Sequence, residues 1–93
     1  MIISIPSDFQ TENWSEEEIE IFKQFRFTCI TCRKRAVVLH EIMPKSRLRN
    51  WKKPGNRVPL CHKCHEAVHL NGTRNSRDVL YLLRDKRLEE YGN

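Results

Sequence analysis

The residues with the clearest potential for chemistry lie in the ten-residue stretch 60–69, which reads LCHKCHEAVH. Cys61 and Cys64 have the C-x-x-C spacing, and His65 and His69 are four residues apart. If this segment is helical from about Lys63, the two imidazoles lie one turn apart on one face. Two imidazoles in that arrangement can share a divalent cation, so the spacing predicts a histidine-lined metal site.

A second C-x-x-C pair lies upstream, at Cys29 and Cys32. Together with Cys61 and Cys64 it supplies four thiolates, a complete ligand set for a tetrahedral structural zinc. Disulfide bonds are the alternative, but the N-terminal apolar run stops at Pro6 and carries no basic residue, unlike a secretion signal. Paired C-x-x-C motifs without an export signal favour zinc, and we expect a cytoplasmic protein.

The histidines also allow simpler interpretations. His62 lies on the same helical stripe as His65 and His69, but it is inside a C-x-x-C turn, and we expect it to be an exposed neighbour of Cys61. His69 taken alone could be a core histidine. His65 is not needed at the zinc, because four thiolates already complete a closed tetrahedral site.

Charge is unevenly divided along the chain. Residues 1–22 carry six acidic side chains and no basic one, whereas residues 23–63 carry twelve basic side chains and a single acid, Glu41. A merely solvated basic face would normally include carboxylates. The segregation therefore favours a polyanion, DNA above all, as the partner of the basic segment.

Length predicts one small domain over residues 1–93, and because only 39% of the 93 residues are hydrophobic, its core is thin and of the kind that often needs a staple such as a metal. The helices and strands predicted below make it a small α+β domain. No stretch approaches the length of a membrane span. We expect a helix from Ser15 to about Arg26 that begins with a capping box, and a final helix over about 77–91 that is capped by residues 75–78. Between them, residues 36–40 predict a strand that pairs with residues 58–60, where Pro59 indicates an edge.

The segment between the two strands is a long basic loop. Loops of this length in small domains are usually functional or disordered. Trp51 within it could pack on the core or stack on a base, and single tryptophans in small domains are more often structural. The loop contains six basic residues that we expect to bind DNA phosphates, and they are Lys45, Arg47, Arg49, Lys52, Lys53 and Arg57.

Three segments together resemble a known family. The runs HEIMPKS from His40, NRVPLC from Asn56, and Cys64-His65 with His69 resemble the HNH endonucleases, in the small phage-type variant with two C-x-x-C knuckles. The resemblance covers about residues 29–71 and implies a ββα-metal core, a two-stranded hairpin followed by a helix.

The resemblance also implies residue roles. His40, His65 and His69 would bind the catalytic cation, with His40 and His65 also counted in the catalytic set. Asn56 would tie the long loop and orient the base. Cys29, Cys32, Cys61 and Cys64 match the structural zinc ligands. The cation is expected to be Mg²⁺, with Mn²⁺, Ni²⁺ or Zn²⁺ as further options.

Glu41 is where the sequence departs from the family, because most relatives have the general-base histidine directly after the first ligand. Three roles stay open for this carboxylate. It could be the base, it could bind the metal while His40 serves as base, or it could mark a slow or inactive nuclease. Neighbouring positive charge would lower the pKa of such a carboxyl and make it a weaker base than imidazole.

The function that these patterns predict is hydrolysis of DNA phosphodiester bonds, as nicks or double-strand breaks with 3′-hydroxyl and 5′-phosphate ends. The alternative is a non-catalytic zinc-binding module that binds nucleic acid or a protein, such as a phage packaging or replication protein. The histidines at 40, 65 and 69 discriminate between the two, because a binding module does not need them.

Overall fold

The computed structural model describes residues 5–44, 49–50 and 55–92. The expectation of a small α+β fold with a two-stranded antiparallel hairpin and flanking helices is confirmed. Along the chain the elements are a 3₁₀ helix (Thr11–Asn13), helix α1 (Glu16–Gln24), strand β1 (Val38–Glu41), strand β2 (Arg57–Leu60), helix α2 (His62–Asn71) and helix α3 (Thr73–Tyr91). The loop residues named above that lie outside the described residues are Lys45, Arg47, Trp51, Lys52 and Lys53.

Helix α1 begins as the sequence predicts. The Ser15 hydroxyl accepts a hydrogen bond from the Glu18 backbone N–H at 3.2 Å, and the Glu18 carboxylate accepts one from the Ser15 backbone N–H at 2.9 Å. This reciprocal pair is the expected capping box, and it satisfies two donors that a helix start leaves free.

Helix α1 ends two residues earlier than expected, at Gln24. Arg26 and Phe27 have left-handed backbone conformations, with φ of 56° and 58°. Such a conformation costs a non-glycine residue about 1–2 kcal/mol. The reversal brings Phe25 and Phe27 into the core, where they are 2% and 1% exposed, and this burial offsets the strain.

The hairpin lies at the centre of the molecule. Strand β1 begins two residues later than the expected 36–40 and ends one residue later. His40 pairs with Val58 and Glu41 with Arg57. Every residue of β2 is buried. Pro59 has no N–H to give, but its carbonyl accepts a hydrogen bond from Ile30 at 3.1 Å. Since the sheet has two strands, Pro59 lies in an edge strand, as predicted.

Helix α3 begins at Thr73, so the expectation of a start near residue 77 with a cap over residues 75–78 is wrong. Gly72 has φ of 97° and reverses the chain in a single residue between α2 and α3. The Asn75 side chain, which was expected to cap α3, instead donates to the Asn71 carbonyl at the end of α2 at 3.0 Å. The chain therefore turns from α2 into α3 at one left-handed glycine, without the longer segment that a helix start near residue 77 would have required.

Helix α3 buries a narrow face. Leu80 is 2% exposed, whereas its apolar neighbours Val79 and Leu82 are 57% and 61% exposed. The buried positions of α3 are 76, 80 and 87, at helical spacings of four and seven. Among the described residues, none of the helices is long and apolar enough to cross a membrane.

Candidate metal centres

The four cysteines form a cluster that could bind a metal such as zinc. The sulfurs of Cys29, Cys32, Cys61 and Cys64 all lie within 4.8 Å of one another. The Cys32 and Cys61 sulfurs are 3.6 Å apart, and all four residues are free thiols. A tetrahedral zinc with Zn–S bonds of about 2.3 Å would hold its sulfurs about 3.8 Å apart. The geometry therefore supports the expected structural metal.

The first pair of cysteines lies in a tight turn. The carbonyl of Cys29 accepts a hydrogen bond from the Arg33 N–H at 2.9 Å, and the Cys29 N–H donates to the Lys34 carbonyl at 2.7 Å. Arg33 has φ of 66°, and Thr28 and Arg35 form an isolated bridge on either side. This backbone network fixes both ends of the knuckle, which is defined here as residues 29–32.

The second pair begins helix α2. Cys61 is the residue before the helix, and its sulfur accepts a hydrogen bond from the Cys64 N–H at 3.4 Å. Burial raises the pKa of the Cys61 thiol, but this hydrogen bond and those with the neighbouring thiols outweigh it and lower the pKa to about 7. Burial and the surrounding thiols raise the pKa of Cys64. One thiolate therefore forms readily, and metal binding would drive the release of further protons.

Three histidines form a second cluster, to which α2 contributes two. The ring nitrogens of His40, His65 and His69 lie within 4.8 Å of one another, and the Nε2 atoms of His65 and His69 are 3.1 Å apart. Two imidazoles on one cation at bond lengths of about 2.0–2.1 Å would have nitrogens about 3 Å apart. The ring centroid of His40 is 5.3 Å from that of His65 and 5.7 Å from that of His69. The side chains expected to share a cation are therefore close together.

His40 has an unsatisfied nitrogen. It is 4% exposed, and its Nε2 has no hydrogen-bond partner among the described residues. Burial, followed by the charges of His65 and His69, lowers the pKa of His40 to about 4. Burial and the neighbouring imidazoles also lower the pKa of His65. Both rings are therefore neutral near pH 7, which leaves a lone pair available to a cation.

Asn56 joins the two ends of the basic loop. It is fully buried, accepts a hydrogen bond from the Met43 N–H at 2.9 Å and donates to the Met43 carbonyl at 3.0 Å. The Ile42 N–H also donates to the Asn56 carbonyl at 2.8 Å. The side chain thus closes the loop at the base of the hairpin, in the position that the resemblance implies for a loop-tying asparagine.

Glu41 and His62 lie outside the imidazole cluster. Glu41 is the last residue of β1, next to His40, but neighbouring strand residues project to opposite faces, and its carboxylate is not part of the three-histidine group. His62 is the first residue of α2, and it is exposed, as the sequence analysis expects.

The two described arginines of the predicted DNA-binding set differ. Arg49 is exposed. Arg57 is 8% exposed, and its guanidinium donates to the Glu18 carboxylate at 2.8 Å. Arg57 therefore links β2 to α1 through this ion pair, and its charge is already used within the fold and is not available to a phosphate.

Sequence reasoning missed Arg87, which donates to the carbonyl of Ile30 inside the first knuckle at 3.0 Å. Nothing in the local sequence pattern distinguishes Arg87 from the neighbouring Lys86.

No family model matches the chain, and comparisons with curated proteins and with solved structures found no match.

Proposed function

We propose that the chain is a metal-dependent endonuclease of the HNH type that hydrolyses DNA phosphodiester bonds. The observation that carries this proposal is the convergence of His40 from β1 with His65 and His69 from α2. A buried nitrogen without a partner, like Nε2 of His40, is unfavourable by about 1–3 kcal/mol. In a module that used only the four-thiol site, this buried nitrogen would lower stability and serve no purpose. A cation bound to the imidazoles would give the nitrogen a partner.

The composition of the cluster bears on which cation it takes. Its three donors are imidazole nitrogens, and no carboxylate from the described part of the chain belongs to the group. Mg²⁺ prefers oxygen ligands, whereas imidazole suits Zn²⁺ and Ni²⁺. The donor set therefore favours Zn²⁺ or Ni²⁺ over Mg²⁺, which reverses the order that we expected from the sequence. When bound, the cation would polarise a phosphate oxygen and stabilise the departing 3′ oxygen.

Glu41 is the proposed base. It ends β1 directly after His40, the position where the family resemblance implies the base. Because its carboxylate lies outside the cluster, it can act as base only on a water that it reaches from there. In this role the carboxylate takes a proton from water as the water oxygen bonds to phosphorus. The bond from phosphorus to the 3′ oxygen breaks, and that oxygen leaves as a hydroxyl after protonation from solvent, with the phosphate on the 5′ end. The ligand role for Glu41 has less support, because the carboxylate lies outside the cluster.

The basic loop is the proposed DNA contact. Arg49 is exposed, and Lys45, Arg47, Lys52 and Lys53 belong to the same loop in the sequence. Contacts of this kind bind backbone phosphates, so they provide affinity and strong salt dependence with little sequence selectivity. Arg57 is removed from the proposed set, because it is buried against Glu18.

The second candidate is a zinc-binding module that binds nucleic acid or a protein without cleaving. The four-thiol group favours this second candidate. Four thiolates complete a tetrahedral site and leave no open position for a substrate, so a metal bound there would be structural and not catalytic. The two candidates make opposite predictions for variants of the imidazole cluster, since the module has no use for it.

The test is cleavage of supercoiled plasmid with Zn²⁺, Ni²⁺, Mn²⁺ or Mg²⁺ added to the zinc-loaded protein. Substitution His65→Ala is expected to reduce nicking by about 100-fold or more, since even the outer partners of metal ligands are worth about 10–100-fold in activity. His62→Ala is the matched control, because His62 is exposed on the same helix and outside the cluster. Equal nicking by the two variants would contradict the proposal, as would its absence with all four metals.

Two substitutions assign the role of Glu41. Glu41→Gln removes the base but keeps the size of the side chain, so it is expected to lower the cleavage rate without loss of metal. Glu41→His introduces the residue that the family resemblance leads one to expect, and a gain of activity would identify Glu41 as a weakened base. Metal lost from the imidazole cluster in Glu41→Gln would assign it as a ligand instead.

A further inference from the structure

The C-terminal turn of α3 packs against the first cysteine knuckle. Ile30 is within the C-x-x-C turn and is fully buried. Its N–H donates to the Pro59 carbonyl of β2 at 3.1 Å, and its carbonyl accepts from Nε of Arg87 at 3.0 Å. Both backbone polar groups of this residue are thus used to fasten the knuckle, one by the hairpin and the other by α3.

Glu90 extends the same attachment beyond the knuckle. Its carboxylate accepts two hydrogen bonds from the Arg33 guanidinium, at 2.9 and 2.7 Å, and another from Arg87 at 3.2 Å. Arg33 follows Cys32 directly and has φ of 66°, a conformation that a non-glycine residue keeps only when its surroundings hold it. Glu90 therefore links the residue that ends the knuckle turn to Arg87.

The last residue of α3 reaches the other end of the turn. The hydroxyl of Tyr91 is 3.5 Å from that of Thr28, which precedes Cys29. The Arg26 guanidinium lies over the Tyr91 ring, 4.9 Å from its centroid. Residues 87–91 thus contact the chain before the knuckle, within it and after it.

We infer that the C-terminal turn of α3 holds the first knuckle in its metal-binding geometry, with Arg87 as the positioning residue. The two cysteine pairs come from separate parts of the chain, so a metal can bind tightly only if the turn at 29–32 is held against the start of α2. Arg87 is 8% exposed, and its side chain crosses from α3 to the knuckle backbone, which gives it the position to do this. The inference does not depend on the proposed nuclease activity.

The coupling has to run in both directions. If docking of the α3 end raises the affinity of the four thiols for a metal, the metal must stabilise the docked helix end to the same extent. Groups that orient metal ligands from outside the coordination sphere typically contribute about 10–100-fold in metal affinity. Arg87 is expected to fall in that range, and Glu90, which is more exposed, below it.

The experiment is a Co²⁺ titration followed by displacement with Zn²⁺. Absorption from thiolate-to-cobalt charge transfer reports the four-thiol site and does not respond to the imidazoles or to DNA cleavage. Arg87→Met is expected to weaken metal binding about 10–100-fold. Lys86→Met is the matched control, because it removes the same charge from the neighbouring exposed residue, and it should bind as wild type does. Equal affinities in the two variants would overturn the inference.

A second pair of variants covers the case in which Arg87→Met does not fold. Glu90→Gln should weaken Co²⁺ binding about threefold to tenfold, and Glu89→Gln, on the next exposed position, should not. Amide hydrogen exchange of the wild type before and after metal removal tests the reverse direction. Faster exchange at residues 87–91 in the metal-free chain is expected, whereas unchanged protection there, or equal affinities for the two glutamine variants, would overturn the inference.

Discussion

The four-thiol cluster and the three-imidazole cluster share helix α2 but differ in how complete they are. The thiols come from two separate turns and supply four donors around one point. The imidazoles supply three, of which His40 is buried while His69 is exposed. A tetrahedral cation would be enclosed by the first set, whereas a cation on the second would keep positions open on its solvent side.

Cys64 and His65 show how one helix serves both clusters. They are consecutive residues of α2, and consecutive helical residues project about 100° apart. The start of α2 is fixed by the cysteines, and that fixes the direction in which His65 and His69 face β1. The comparison implies a dependence in one direction only: the imidazole cluster needs the thiol site, but the thiol site does not need the imidazoles.

Loss of the thiol metal should have the largest effect. Cys29→Ser removes a fully buried ligand. Structural zinc contributes about 10–16 kcal/mol at neutral pH, which is as large as the whole stability of a typical domain, about 5–15 kcal/mol. We expect the variant to lose its cooperative thermal transition and both metals, as measured by circular dichroism and metal analysis. A cooperative transition that survives without metal would break the proposed dependence.

Loss of an imidazole should affect its own cluster only. His69→Ala is expected to lower the number of bound metal ions from two to one, as counted by native mass spectrometry of protein loaded with Zn²⁺. The thiol-bound metal and the cooperative transition should remain, since His69 is exposed and makes its ring contacts with the other two histidines. If this substitution also releases the thiol metal, the two clusters depend on each other.

The base of the loop gives a smaller, purely structural effect. Asn56→Ala would leave the half-buried N–H and carbonyl of Met43 without the partners they now have in the Asn56 side chain. The expected loss is about 2–3 kcal/mol of unfolding free energy, a fall in Tm of roughly 10 °C or more for a domain of this size. Asn50→Ala, at an exposed loop position, is the control. Similar Tm values for the two variants would mean that the amide does not close the loop.

The ion pair between α1 and β2 should show the smallest effect, together with a defined pH dependence. The Ser15 backbone hydrogen bond, helped by contact with Arg57, holds the pKa of Glu18 below its ordinary value. A lowered carboxyl pKa contributes stability that is fully present above the ordinary value and is lost as pH falls through the folded value. Glu18→Gln should therefore cost about 1 kcal/mol at pH 7, and the difference from wild type should shrink below about pH 4.5.

Glu20→Gln is the matched control for that measurement. Glu20 lies on the same helix and pairs with Lys23 at 3.3 Å, but its side chain is 65% exposed. Exposed pairs of this kind contribute little, so the control should stay close to wild type at every pH. Denaturant unfolding at several pH values measures both variants, and a constant Glu18→Gln difference down to pH 3 would contradict the assigned cause.

Local signals predicted the local features well. The capping box at Ser15 and Glu18 depends on residues three apart, and both of its hydrogen bonds are present. The one-turn spacing of His65 and His69 follows from helix geometry alone, and their nitrogens are 3.1 Å apart. The start of α2 was expected within one residue of its observed position, because the C-x-x-C pair and the histidines mark it.

Features that depend on distant contacts were predicted less well. Arg57 has the residue type of a phosphate contact, but α1 places Glu18 against it. Val79 and Leu82 are apolar, yet the packing of α3 leaves them exposed. The start of α3 was misplaced because a single left-handed glycine, Gly72, can replace a longer cap, and sequence alone does not reveal its φ.

What the sequence by itself determined are the ligand types, their spacing within each segment and the separation of charge along the chain, because these follow from neighbours in the chain. Only the tertiary structure decided that the two cysteine pairs meet, that Arg87 reaches the knuckle, and that His40 faces α2 with a buried nitrogen that has no partner among the described residues. The physical reason is that such pairs are 25 to 57 residues apart, and their distance is set by the packing of the hairpin between the helices.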